Sequence, residues 1–230
     1  FLDQERQLFG APGGIMHDWD LKTNIDGIYA AGDQLFASDC CGFACATGYY
    51  AGRKAADYCD TVELCDVNPE DVEAEKKRLY APLEHSEGVS WKELNMAISK
   101  AMQNYCGGVK CDALLKEGLD LLNSYREEIV PQLYCENPHD LMRTHEVLDI
   151  LDVAEMILHA CLMRKSSSKQ LCFTRSDYPE MDPQKDRRFI TLRREGDQVI
   201  VGEVPLDYFG DLVTEYEKRN KDYMGGAHHE

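Results

Sequence analysis

Residues 27–52 read GIYAAGDQLFASDCCGFACATGYYAG, and this stretch constrains the fold more than any other. Ile28 to Ala31 is a short apolar run between Gly27 and Gly32. Such a run has the pattern of a buried parallel strand. After Gly42 the chain turns to small residues, with Phe43, Ala46, Tyr50 and Lys54 at helical spacing. Gly48 and Gly52 lower helix propensity there. Their expected compensation is close packing against a sheet or a ligand. The unit is thus read as strand, acidic turn and helix, entered through a further short strand, GGIMHD, and a polar turn, WDLKTN.

An acidic residue just past a buried strand sits where doubly wound folds bind ligands. Asp33 holds that position. A carboxylate accepts hydrogen bonds only, so it suits sugar or ribityl hydroxyls. The helix start that follows presents free N–H groups and a positive dipole end, which favour an electron-rich group such as the pyrimidine edge of a reduced flavin. On the residues alone, a plain strand–helix turn with a solvated Asp33 stays equally open.

The middle of the chain is helical. NPED makes Asn68 an N-cap with Pro69 at N1, and SWKE is a capping box of Ser90 and Glu93. The helix after Ser90 places Trp91, Leu94, Ile98, Ala101, Met102 and Tyr105 on its apolar positions and stops at Gly107-Gly108. A third helix is expected from about Cys111 to Ile129, with Leu114, Leu115, Leu119 and Leu122 as its stripe and Pro131 ending it. NPHD opens a fourth at Asn137, running to about Arg164 and Lys165. Together these helices predict an antiparallel bundle. RRFITLRREGDQVIVGEV alternates, turns at Glu195-Gly196-Asp197 and alternates again, which is a hairpin signature. The charged tail after Phe209 ends in MGGAHHE, and His228 and His229 are read as a frayed terminus rather than a metal site.

Charge and cysteine usage exclude several function classes. A net charge of −17 over 230 residues argues against nucleic acid or an anionic membrane as main partner. No run approaches the ~20 apolar residues of a membrane span. None of the ten cysteines forms a C-x-x-C pair, so no metal site is expected. Most are read as reduced, buried thiols of a cytoplasmic protein, a usage that also suits an anaerobic cell. A lone nucleophilic thiol at Cys40, Cys41 or Cys45 is a further reading, since Cys41 and Cys45 lie near a helix start, but packing is the favoured one.

The stretch GGIMHDWDLKTNIDGIYAAGDQ, continued by GFACATGYYAGRKAA, resembles the end of the FAD domain in the fumarate reductase/succinate dehydrogenase flavoprotein family. Thr23, Gly27, Tyr29, Ala30, Ala31, Gly32, Asp33, Gly48, Ala51 and Gly52 match that pattern. MQNYCGGVKCDALLKEGLDLL resembles the family's later bundle helices, and LMRKSSSKQLCFTRSDYPEMDP a following motif. The resemblance covers roughly residues 1 to 205.

The resemblance implies an α/β FAD-domain remnant over residues 1–62, with strands and a flavin-facing helix. A helical carboxyl-terminal domain over 63–183 and a β-hairpin with charged tail over 184–230 follow. It implies FAD as cofactor, with Asp33 on the ribityl chain, Gly32 beside it, and backbone N–H groups of Gly42, Phe43 and Ala44 near the flavin pyrimidine edge. Arg164, Arg175, Asp177 and Pro179 match the later motif, which braces the helical domain near an electron-transfer partner; a structural ion pair of Arg175 with Asp177 is the stronger reading of those two. The implied activity is hydride exchange between flavin and a small molecule, with an iron–sulfur or other carrier protein as electron partner. The alternative is a non-enzymatic docking or assembly module with a vestigial flavin site.

Departures from the family pattern leave the substrate and the catalytic residues unnamed. LFGAPGG lacks the family's substrate histidine, and LFASDCCGFAC has no Arg or His where the family clamps a substrate carboxylate. KSSSKQLCF lacks the usual Glu, Arg and His. A divergent relative fits better than a true succinate dehydrogenase, with adenylylsulfate reductase-like or unassigned anaerobic reductases among its cousins. The dinucleotide-binding G-x-G-x-x-G and the capping domain are expected upstream of Phe1, so the chain reads as the end of a longer protein.

Overall fold

The computed structural model describes residues 13–35, 40–169, 171–186, 188–196 and 198–224. His228 and His229 lie outside these. The chain divides into two compact units, Phe1–Asp66 with Asp207–Glu230, and Val67–Leu206.

The first unit contains helix α1, Cys40–Cys59. Its small core joins Leu21, Ala30, Leu35 and Ala51, with Tyr29, Phe43 and Tyr50 packed alongside. Residues 13–18 form no strand, and Ile28–Ala31 is not the parallel strand expected from its apolar run. Among the described residues its pairing is a single antiparallel bridge, Lys22 to Tyr29. The polar turn folds the chain back on itself there. Asp18 accepts the backbone N–H groups of Asp20 and Lys22 at 2.8 and 3.0 Å, which closes the turn. Ala30 is fully buried while Ile28 is 48% exposed, so one side of the run is packed and the other is bare.

The second unit is a helical bundle with small sheets. Helix α2, Pro69–Tyr80, is capped by Asn68 as its sequence requires, but buries no residue. It therefore lies outside the bundle core. The composition explains this: PEDVEAEKKRLY has no apolar stripe. Helix α3, Trp91–Tyr105, carries the complete capping box of Ser90 and Glu93. Strand β1, Val109–Lys110, leads to helix α4, Asp112–Ser124. A π-turn at Tyr125–Ile129 and a short 3-10 turn containing Pro131 finish that segment. Helix α5, Pro138–Met163, is capped by Asn137, whose side chain accepts the Asp140 N–H.

Helices α3, α4 and α5 pack on one another through Leu94, Ile98, Leu115, Leu122, Leu151 and Leu158, each at most 1% exposed. Leu114, placed on the stripe by its sequence spacing, is 39% exposed. Gly118 takes the inward position instead, because a Cβ there would stand 2.8 Å from the Tyr105 Cβ and 3.4 Å from Leu158. Strand β2, Thr174–Arg175, pairs in parallel with β1. After helix α6, Pro183–Asp186, strands β3, Arg188–Glu195, and β4, Gln198–Pro205, form the expected antiparallel hairpin. Glu195 pairs with Gln198, and Gly196 turns with φ +59°.

The segment after Phe209 forms helix α7, Leu212–Met224, which belongs to the first unit. Its sequence gave no such signal, because LVTEYEKRNKDYM is polar with a weak apolar stripe. Its anchor is electrostatic. Arg219 reaches Asp20 at 2.9 Å, and Trp19 donates its indole N–H to the Phe209 carbonyl at 3.0 Å.

Leu151→Ala should lower stability by about 2–5 kcal/mol, the usual cost of a cavity at a fully buried leucine. Exposed Met96→Ala should change it by less than about 0.5 kcal/mol. Urea unfolding followed by circular dichroism reads both.

Candidate functional site

The site in the first unit is built on Gly32. Its φ of +66° lies in the left-handed region, and a Cβ would sit 3.4 Å from the Ala44 Cβ. The Gly32 N–H is buried with its residue and donates to Thr47 Oγ1 at 2.9 Å. Thr47 in turn donates to the Phe43 carbonyl at 2.7 Å, inside α1. One hydroxyl therefore ties the turn at Gly32–Gln34 to the first turns of α1. Thr47 carried no functional signal in the sequence, although a hydroxyl one turn inside a small-residue helix is what such a tie requires.

Asp33 follows Gly32 in this turn and is exposed. Gly42 is exposed in the first turn of α1, where backbone N–H groups have no intrahelical acceptor. Phe43 and Ala44 stand one step deeper. Phe43 is part-buried on the small core and gives its carbonyl to Thr47. Ala44 faces Gly32. So Gly32 and Ala44 meet directly, Gly32 and Phe43 are linked through Thr47, and Asp33 and Gly42 flank that link.

Among the described residues, a Cβ at Gly48 or Gly52, or at Gly42, would meet nothing within 4 Å. All three are exposed, and α1 thus presents a bare, small-residue surface.

Asp20 organises the same unit. It accepts from the Tyr50 hydroxyl at 2.9 Å and contacts Lys54 at 3.2 Å as well as Arg219. Burial pushes its carboxyl up, but the bonds from Tyr50, Lys54 and Arg219 outweigh this and hold it below the usual range.

In the second unit, Arg175 is fully buried. It donates to Asp177 through Nε at 2.8 Å and Nη2 at 2.7 Å, and pairs with Asp112 through Nη2. Nη1 donates to the Cys161 carbonyl at 2.6 Å and the Arg164 carbonyl at 3.1 Å. Asp177 also accepts the Asp112 backbone N–H at 2.8 Å, at the start of α4. The two sequence residues thus come together as a structural ion pair. Its fork joins the end of α5 to the beginning of α4. The bond from Arg175 holds the Asp177 carboxyl down at about 2.

The cysteines depart from the expected burial. Cys135 and Cys161 are buried and Cys106 and Cys111 half-buried, while Cys41, Cys45, Cys59, Cys65 and Cys172 are exposed. These nine are free thiols. Helical amphipathicity does not exclude a small, weakly polar side chain from the wet face, so apolar patterning is a poor guide for cysteine. Among the described residues, no cluster of three or more His, Cys, Asp or Glu is arranged to hold a metal ion. No described helix is long and apolar enough to cross a membrane.

Residues 95–208 match the family described as fumarate reductase flavoprotein C-term. The chain belongs to the fumarate reductase/succinate dehydrogenase flavoprotein family. It is 29% identical over 187 residues to the fumarate reductase flavoprotein subunit of Haemophilus influenzae, a match covering 74% of this chain and 31% of that protein. The Mycobacterium smegmatis Sdh1 complex shares its fold with a TM-score of 0.73 at 24% identity, over 91% of this chain and 39% of that one. Adenylylsulfate reductase from Archaeoglobus fulgidus shares it with a TM-score of 0.70 at 22% identity, over 77% and 31%. The chain therefore spans about a third of the length of the curated relatives it matches.

Thr47→Val should destabilise the first unit by about 1–3 kcal/mol, because the buried Gly32 N–H loses its acceptor. Thr47→Ser should restore most of this. Hydrogen exchange at the Gly32 amide reads the change directly. A second expectation concerns pH. A carboxyl lowered in the folded state adds stability above its unfolded value near ~3.9, and that stability is lost as pH falls through about 2. Urea midpoints should therefore fall between about pH 4 and 2, and Asp177→Asn should flatten that slope.

Proposed function

We propose that the chain serves as the carboxyl-terminal portion of an FAD-dependent oxidoreductase acting on a small molecule. The observation that carries this reading is the Gly32–Thr47–Phe43 tie, which holds the acidic turn against the first turns of a helix whose outer face is bare. Membership of a flavoprotein family supplies the cofactor class.

The residues present suit FAD. Asp33 is an exposed, acceptor-only group for ribityl hydroxyls, and Gly32 lets the backbone turn beneath it at positive φ. Gly42 offers a first-turn N–H and the helix dipole to the flavin pyrimidine edge, with Phe43 and Ala44 shaping the floor below. Gly42, Gly48 and Gly52 leave room for a flat ring system or a second segment of polypeptide. When bound, FAD would supply hydride exchange at its flavin ring. The chain's own residues bind and orient; among the described residues none is assigned as a proton donor to substrate.

Residues 1–62 are accordingly read as the end of an FAD domain, 63–183 as the helical domain of the family, and 184–230 as hairpin and tail. The electron partner is an iron–sulfur or other carrier protein, and the setting is the cytoplasm of an anaerobic cell. Conditions for testing this are simple. In the complete native protein, Asp33→Ala should weaken FAD affinity by about 1.5–3 kcal/mol, the worth of a hydrogen bond to a charged group. Flavin fluorescence titration measures it. Unchanged affinity would remove Asp33 from the site, and a native protein without flavin would favour a docking or assembly module instead.

A further inference from the structure

Two thiols outside the flavin region lie side by side. Cys106 follows the last turn of α3, and Cys161 sits in the last turn of α5. Their Sγ atoms are 3.8 Å apart although they are 55 residues apart in sequence. Cys106 is half-buried, whereas Cys161 is 8% exposed. We propose that this pair is a thiol-modification site, in which Cys106 attacks a low-molecular-weight aliphatic disulfide and Cys161 resolves the adduct into an intramolecular Cys106–Cys161 bond.

The surroundings separate the two roles. The hydrogen bond with Cys161 lowers the Cys106 thiol to about 7 against the opposing effect of burial. The Lys110 ammonium acts in the same direction; it is held nearby by its bond to the Gly107 carbonyl at 2.8 Å. The same bond, together with burial, pushes the Cys161 thiol up. An attacking thiol with a pKa near ambient pH is close to the optimum for exchange. The protected partner waits as a thiol within reach of the sulfur that would carry the adduct.

The chemistry balances. The Cys106 thiolate attacks one sulfur of the external disulfide, its S–S bond breaks, and one small thiolate leaves. Cys161 then attacks Cys106 Sγ and expels the second small thiolate. The two protein protons end on the two released thiols. Both protein cysteines are oxidised, and one external disulfide is reduced.

Other thiols are less suited. Cys41 and Cys45 are 4.0 Å apart but lie four residues apart on α1, where a bond between them would have to distort one helix. Cys135 is buried and bonded to the Thr144 hydroxyl at 3.1 Å. The Cys106–Cys161 pair instead joins two different helices that already pack together.

Peptide mapping of the full chain after treatment with glutathione disulfide tests the proposal. The expected product is a cross-linked pair of peptides containing Cys106 and Cys161, with both thiols lost to alkylation and no retained glutathione. Cys161→Ser should trap glutathione on Cys106, and Cys106→Ser should leave Cys161 as a free thiol. A lasting glutathione adduct on Cys106 in the unsubstituted chain would overturn the resolving role of Cys161. Oxidation confined to the exposed cysteines, with Cys106 and Cys161 both alkylated, would overturn the site.

Discussion

The helical unit depends on one buried guanidinium. Arg175 has no contact with water, and its five N–H groups are distributed over two carboxylates and two main-chain carbonyls. The carbonyls belong to the end of α5, where the helix carries partial negative charge and lacks intrahelical donors. The carboxylates belong to the start of α4 and the loop beyond β2. A lysine could not replace it, because a point charge cannot fork between Asp112 and Asp177 while also reaching Cys161 and Arg164. The desolvation of such a group is costly, so it holds position only while every partner is present. The apolar core of α3, α4 and α5 provides the bulk stability, and Arg175 fixes where their ends meet.

The first unit uses a different device. Its apolar core is small, and polar ties do much of the positioning. Thr47 bridges Gly32 to α1, Asp18 closes the turn, and Asp20 gathers Tyr50, Lys54 and Arg219. Such ties are directional, so they fix backbone positions that a small apolar core alone would leave loose. Among the described residues, one side of Ile28 and the glycines of α1 stay uncovered.

Helix starts were legible because their signals are local. Asn68, Ser90 with Glu93, and Asn137 each cap the helix their sequence announces, and the Gly196 hairpin turn pairs in the register its alternation demands. That α2 lies outside the bundle core was not legible from its cap, since a cap starts a helix without giving it anything to bury. Leu114 and Gly118 exchanged roles because interhelical distance, set by Tyr105 and Leu158, left room for no side chain at 118. Asp33, Gly42 and the small-residue helix stand on one turn and one helix, as their pattern places them. Thr47 and Asp20 were missed, because a single hydroxyl or carboxylate acquires its role from partners distant in sequence. Helix α7 was missed for the same reason.

That last helix has a consequence for how the molecule is made. Asp20 meets Arg219 across 199 residues, and His17 meets Tyr208 across 191. The whole helical unit, Val67–Leu206, is an insertion between the two halves of the other. On a ribosome the inserted unit emerges complete while its host still lacks its closing helix. The order of synthesis therefore lets the bundle fold before the unit that hosts it has gained its second half.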